Sequence, residues 1–460
     1  MALTILALGL FVFFGHFLAG FFERTKVPDV LILVLAGMIL GPVLQVVEPA
    51  DFGKVGPVFT TLALIIILFE GGIHLNIKAL GPAAVDTLTV TLASMVLTVL
   101  LLSLLADLLL PVDFTTALFV GTVLGGTSSA VVVPLIRVLK LSAVPSTVLF
   151  LESALTDVLV IVLALGLLQS MTAAAEGGGV AALGGGGLVA QIAGSFLLAG
   201  LVGTAGALVW SAVLDRVRQV PNTVFTTLAY VFILFGLTEL WGYSGAIAAL
   251  AFGIAVANFP NIPDRLRGRV LAFRLAAFAE QERAFFAEAV FLVKTFFFVY
   301  LGVSITFSDR RAMVTGLLLG AAALVARAPV VRLLANPATT SRRDAALMTA
   351  LVPKGLAAAV IASLPAQAGL PGSGIIQGTV YAAIVSSIVT CAVLVFVVER
   401  GTAEALLRPW LRKFPVKIDQ AEGAAAGPAV VVPALSAPLT DLQEPNPITP
   451  VGPPEVLDQS

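Results

Sequence analysis

Apolar runs of about twenty residues recur along most of the chain, separated by short polar connections. A helix needs roughly 20 residues to cross the hydrocarbon core of a bilayer. About thirteen such segments are predicted: 3–22, 28–47, 55–73, 83–106, 114–138, 144–169, 188–214, 222–240, 243–258, 285–305, 312–334, 344–368 and 373–398. The alternating pattern of a membrane β-barrel is absent from the sequence. The expected fold is an all-α polytopic membrane protein. The first run starts at once, with neither a basic leader nor a small-residue cleavage site, and reads as a spanning helix rather than a signal peptide.

Two of these segments carry helix breakers at their middles. Segment five contains Gly125-Gly126-Thr127-Ser128-Ser129, with Pro134 beyond. Segment twelve contains Pro353-Lys354-Gly355, with Pro365 beyond. Unwound backbone at membrane depth is tolerated only where it is buried in protein or lines a cavity. Two interrupted segments at matching positions of two halves point to a substrate site. Close helix packing at small residues is the plainer reading of the same glycines.

The halves themselves show faint symmetry. Ile65 to Ile73 and Phe296 to Ile305 both run from apolar residues through an aromatic to glycine and isoleucine. That similarity matches segments three and ten, as it would if segments 1–6 and 8–13 were inverted repeats around a spare seventh helix.

Composition agrees with the segment count. The chain has 460 residues, 59% of them hydrophobic and only 12% charged, against about 25% charged in soluble domains. The single cysteine, Cys391, excludes an intrachain disulfide and is expected to pack in its apolar segment. No basic tract points to nucleic acid.

Charge placement orients the chain. The odd-numbered loops carry 15 Lys and Arg and the even loops 3, with 5 more in the tail. The odd loops and the C-terminus are therefore expected to face the cytoplasm and the N-terminus the outside, an arrangement that requires an odd number of spans. Residues 260–284 mix arginines with Leu271, Phe273, Leu275 and Phe278, the pattern of an amphipathic helix on the inner membrane surface. The glycine-rich stretch 176–187 reads as a flexible outer connector. Residues 1–400 are read as the transmembrane domain, and 401–460 as a largely disordered cytoplasmic tail.

Three cations remain inside apolar segments: Lys294, Arg327 and Lys354. Each should be paired, line a wet cavity or snorkel to an interface. Segment six holds the acids that matter most, in Glu152-Ser153-Ala154-Leu155-Thr156-Asp157. A charge at mid-membrane costs about 2.5–3.5 kcal/mol on insertion scales, so acids there are functional by default. On a helix Ser153 and Asp157 share a face, with Glu152 and Thr156 beside them. Carboxylate and hydroxyl oxygens gathered at this depth suit a proton or a hard cation. A structural salt bridge is the alternative, and it fits Glu152 better than Asp157.

With these residues in place, the chain resembles the monovalent cation:proton antiporter superfamily, the sodium/proton exchangers and their potassium/proton relatives. Phe69-Glu70-Gly71-Gly72 is similar to that family's motif at the end of its third helix. Glu152-Ser153-x-x-Thr156-Asp157 resembles its Glu-Ser-x-x-Asn-Asp, Arg327-Ala-Pro329 its helix-eleven basic residue, and Pro353-Lys354-Gly355 its Arg-Gly on helix twelve. Thr156 departs from the family's Asn or second Asp, and Lys354 from its Arg. The resemblance covers nearly all of residues 1–400. It implies a homodimer, an inverted-repeat fold, a six-helix core of about 83–169 and 312–398, and crossing discontinuous helices five and twelve.

The function this implies is secondary antiport of Na⁺ or K⁺ against H⁺ across the cell membrane, with no cofactor and no catalytic residue. Asp157 would hold either a proton or the monovalent cation. Ser153, Thr156, Thr127, Ser128 and Ser129 would complete its oxygen shell. Glu152, Arg327 and Lys354 would hold the core and balance charge. With Thr156 in place of a second acid, one-for-one electroneutral exchange is expected. Glu70 reads equally as a funnel acid or a packing partner, and Lys294 as a snorkelling residue or part of the ion path. Competing readings are an organic-anion transporter, using Lys354 and Arg327 as anion clamps, and a gated ion channel. His16 and His74 lie far apart in sequence and offer no metal cluster for an enzyme.

Overall fold

The structure is a computed structural model that describes residues 9, 13–17, 29–48, 55–74, 84–175, 185–219, 225–259, 279–305, 309–400 and 410–416. All of these lie in one compact unit, residues 1–430. Most of segment one, the glycine-rich stretch 176–184, the arginine-rich stretch 260–278 and the tail from 417 lie outside the described residues, as does the side chain of His74.

The described residues form helices and no strand. They are α1 (Asp29–Met38), continued by a π-helical turn (Ile39–Val43), α2 (Val55–His74), α3 (Ala84–Leu109), α4 (Phe114–Val123), α5 (Ser129–Leu139), α6 (Ala143–Ala175) and α7 (Gly185–Val217). Then come α8 (Thr226–Leu240), α9 (Gly245–Asn258), α10 (Glu280–Ser304), α11 (Arg310–Leu334), α12 (Arg342–Ala350), α13 (Leu356–Gln367) and α14 (Ser373–Glu399). Among the described residues, six helices are long and apolar enough to cross a membrane, and six shorter apolar ones accompany them. Each predicted segment from two to thirteen coincides with one helix or with a pair of half-helices. Segments five and twelve are the pairs: α4 and α5 are separated by 124–128, and α12 and α13 by 351–355.

One apolar cluster joins α2, α7, α8, α9 and α10 through Ile65, Phe69, Trp210, Val231, Phe252 and Phe286. Phe69 meets the rings of Phe252 and Phe286 at 5.7 and 5.0 Å. Lipid gives helices no hydrophobic reason to associate, so close backbone approach at small residues carries much of the packing. α2 and α9 show this directly. A Cβ on Gly253 would run into the carbonyl of Phe69, and one on Gly72 into the backbone of Leu250 and Ile254. At one end of this group Arg218 donates from Nη2 and Nε to the Glu282 carboxylate, at 2.6 and 3.1 Å, tying the end of α7 to the start of α10.

A second group forms around α11, which lies along α14 and α3, whereas α1 lies along α10. α4 starts at Asp113, whose carboxylate accepts from the hydroxyl and N–H of Thr116. The hydroxyl bond holds this carboxyl below its usual range. Ser341 caps α12 in the same way through the N–H of Asp344, at 3.1 Å.

A short stretch after the last span folds back on this group. Leu411 and Phe414 are buried. Lys413 Nζ donates to the carbonyls of Leu333 and Ala335, at 3.4 and 3.1 Å, and the Arg332 guanidinium lies 4.5 Å from the Trp410 ring centre. The N–H of Arg342 donates to Pro415 O at 2.7 Å.

The α2–α9 crossing yields a prediction. Gly253→Ala forces a Cβ onto backbone that has no rotamer to escape with, and such overpacking costs about 1–3 kcal/mol. The melting temperature of the purified protein should fall, whereas alanine at Gly236, whose Cβ would meet open space, should leave it within a degree or two.

Candidate functional site

The two interruptions lie against each other. The N–H of Ser128 donates to Pro353 O at 2.8 Å, and Lys354 Nζ donates to Gly126 O at 2.8 Å. The N–H of Lys354 in turn donates to Ser387 Oγ of α14 at 2.9 Å. Unwound peptides in hydrocarbon need partners, and here each break supplies them to the other. The fit leaves no room: a Cβ on Gly355 would land on the Ser128 side chain.

Backing onto this crossing is a buried ion pair. Arg327 on α11 is 1% exposed and Glu152 on α6 is 2% exposed. Arg327 Nη2 donates to Glu152 Oε2 at 2.5 Å and Nη1 to Glu152 Oε1, a two-pronged pairing. The guanidinium is satisfied further by Ser94 Oγ of α3 at 2.8 Å and by Met348 O of α12 at 3.1 Å. One side chain thus joins α3, α6, α11 and α12. A guanidinium presents donors in a rigid fork that matches a carboxylate, which suits it to a dry pairing.

Asp157 follows Glu152 on α6 but faces elsewhere. Its Oδ2 accepts from Ser129 Oγ at 2.6 Å and from the Ser129 N–H at 3.2 Å. It has no ion-pair partner among the described residues and keeps partial exposure. Glu70 on α2 and Lys354 in the second break are the charged groups near enough to act on it.

The remaining predicted site residues divide. Thr156 Oγ1 accepts from the N–H of Thr127 at 3.1 Å and leans on Ser153 O at 3.4 Å, so it braces the first break. Ser153 is fully buried, and its hydroxyl donates to Phe150 O of its own helix, away from Asp157. Ser128 packs on Gly355 and caps α5 only through its backbone. Ser129 hydrogen-bonds Asp157, while the hydroxyls of Ser153 and Thr156 bond to backbone groups. The structural salt bridge expected for Glu152 is formed, with Arg327 as its partner. Lys294 lies 5.8 Å over the Phe291 ring on its own helix. Cys391 is buried and packs, as expected.

Sequence reasoning missed Ser94, Ser387 and the carbonyls of Gly126 and Met348. Serines inside spanning segments are a usable signal for Ser94 and Ser387. Backbone acceptors leave none.

A helical multi-pass membrane protein with two broken helices crossing beside a carboxylate that makes no ion pair among the described residues belongs to the class of ion-coupled transporters. Comparison narrows the class. The family described as "Sodium/hydrogen exchanger, transmembrane" matches residues 9–400, and the chain belongs to that family. The Na(+)/H(+) antiporter 1 of Methanocaldococcus jannaschii is 26% identical over 162 residues, 34% of this chain, and the match spans 37% of that relative's length. The structure of the sodium proton antiporter MjNhaP1 from the same organism at pH 8 is similar in fold. Its TM-score is 0.62 at 19% identity, covering 85% of this chain and 99% of that one. A second structure of that antiporter gives a TM-score of 0.58 at 20% identity, covering 89% and 97%.

Two substitutions separate the roles seen here. Glu152→Gln strands a buried guanidinium, a loss of about 3–5 kcal/mol, and should sharply lower the yield of folded protein in detergent. Gly355→Ala should destabilise the crossing, and Ser128→Gly in the same chain should recover much of the melting temperature by vacating the space.

Proposed function

We propose that this chain exchanges a monovalent cation, Na⁺ or K⁺, for protons across the cell membrane. The observation that carries this reading is the Asp157 carboxylate at the crossing of two broken helices. It is fastened by Ser129 and has no ion-pair partner among the described residues, and the nearby guanidinium is already taken by Glu152. A carboxylate so placed can hold a proton or a hard cation, and each load displaces the other. The family and the similar antiporter fold support the same activity.

In this reading the helices around α11 shift against the cluster of α2 and α7 to α10, exposing Asp157 to one side and then the other. Thr127 and its neighbours in the first break offer carbonyl oxygens to the cation. Glu70, which acts on Asp157 from α2, lies on the approach from the cytoplasm. Thr156 carries no charge and braces the break. A single carboxylate therefore changes its load, and exchange is one-for-one and electroneutral. Positive loops set the orientation, with the N-terminus outside and the C-terminus in the cytoplasm. The halves 1–6 and 8–13 are inverted repeats, and the protein works as a homodimer. Lys354 and Arg327 are both engaged within the protein, which takes away the anion clamp that an organic-anion transporter requires.

The test uses proteoliposomes with a preset pH gradient and a trapped pH dye. Added Na⁺, K⁺ or Li⁺ should release protons at a rate indifferent to a clamped membrane potential, and the order of ions names the substrate. Asp157→Asn should abolish release while the melting temperature stays near that of the native protein. Release that follows the voltage would mean that a second charge moves. Persistent exchange in Asp157→Asn would remove Asp157 from the mechanism.

A further inference from the structure

The two oxygens of Asp157 are not equivalent. Both donors of Ser129, its hydroxyl at 2.6 Å and its N–H at 3.2 Å, go to Oδ2. Oδ1 accepts no hydrogen bond among the described residues. Ser129 is the first residue of α5, an eleven-residue helix whose own N-cap, Ser128, makes no side-chain cap. The side chain of Ser128 is instead packed against Gly355. The unpaired N–H groups at that end must find an acceptor, and the acceptor comes from α6. Asp157 is therefore the cap of the broken helix α5, supplied from another helix and favoured by the positive end of the helix dipole.

We infer that Ser129 is a positioning residue that reserves Oδ2 for capping α5 and leaves Oδ1 as the one atom at which proton and cation compete. This rests on the reading of Asp157 as the exchange site and departs from the expectation that Ser129 is a cation ligand. Because Oδ2 stays hydrogen-bonded when Oδ1 is protonated, the cap survives both loading states, and the crossing need not rebuild on each cycle. The cation receives one oxygen from Asp157, not two.

Ser129 has a second effect, on the competition itself. A hydroxyl donating to a carboxylate favours the charged form, and hydrogen bonds to charged groups are stronger than neutral ones. The other charged groups facing Asp157 are Glu70 from α2 and Lys354 from the second break, while Glu152 is committed to Arg327. Ser129→Ala leaves those in place and removes only the hydroxyl donor.

The experiment compares wild type, Ser129→Ala, Ser129→Cys and Ser129→Thr in the proteoliposome assay across pH, with melting temperatures measured alongside. In Ser129→Ala protons should compete more strongly. The apparent KM for the cation at fixed pH should rise about tenfold, and the pH profile should move by about one unit to the alkaline side. The maximal rate at high pH and saturating cation should remain within about twofold. Ser129→Thr, which keeps the donor, should restore the native profile, and Ser129→Cys, a weaker donor of similar size, should fall between. An unchanged KM and pH profile in Ser129→Ala would overturn the inference. So would loss of the maximal rate in a normally melting protein, since that outcome makes the hydroxyl a cation ligand. Should Ser129→Ala not fold, the Cys and Thr variants decide by the same criteria. Exchange in Asp157→Asn is a separate result, which overturns the site and not merely the division of its oxygens.

Discussion

A guanidinium taken out of water must be met on every side, and much of this architecture follows from how Arg327 is met. Desolvating the ion is expensive, so the pairing with Glu152 contributes little net stability by itself, and its loss is far more costly than its presence is favourable. What the pair supplies is register. Its geometry holds only when α6, α11, α3 and α12 stand at one relative height, because Glu152, Ser94 and Met348 O must all reach the same planar group. It also sorts the acids of α6. Glu152 is neutralised, and among the described residues Asp157 makes no ion pair.

The crossing of the broken helices obeys a related accounting. Ten residues of non-helical chain, 124–128 and 351–355, would carry a ruinous number of unmet peptide groups if they faced lipid. They face each other instead. Ser128 N–H goes to Pro353 O, the ammonium of Lys354 to Gly126 O, and the N–H of Lys354 to Ser387. Lysine at this point serves as a donor on a flexible stem, reaching across to a carbonyl, where a guanidinium would need a broader acceptor.

Much of this was legible in the sequence. Segment lengths located the helices because hydrocarbon thickness leaves little freedom. Glycine and proline located the breaks because few other residues permit them. Charges stranded in apolar runs located Glu152, Arg327 and Lys354, since so few partners exist at that depth. The immediate partner of Asp157 was harder to see. Helical spacing put Ser153 on the same face, yet a helical serine readily bonds back to its own helix, and Ser153 does so to Phe150 O. Ser129, twenty-eight residues away along the chain, reaches Asp157 only because α5 begins at the break, and local periodicity carries no information about that. The fold-back of Trp410 to Val416 went unseen for a different reason: charge counting assigned its lysine to a free tail, although the spacing of Trp410, Lys413 and Phe414 around basic residues was available as a cue.

The contact between Gly355 and Ser128 links two positions that are far apart in the chain. Space for a side chain exists once at that point, and Ser128 occupies it. The two sites therefore cannot vary independently over evolutionary time. Growth at 355 is admissible only together with shrinkage at 128, and the intermediate with both side chains present is disfavoured. Descendants of this chain should wander through sequence space along that shared track, with the pair drifting as one character.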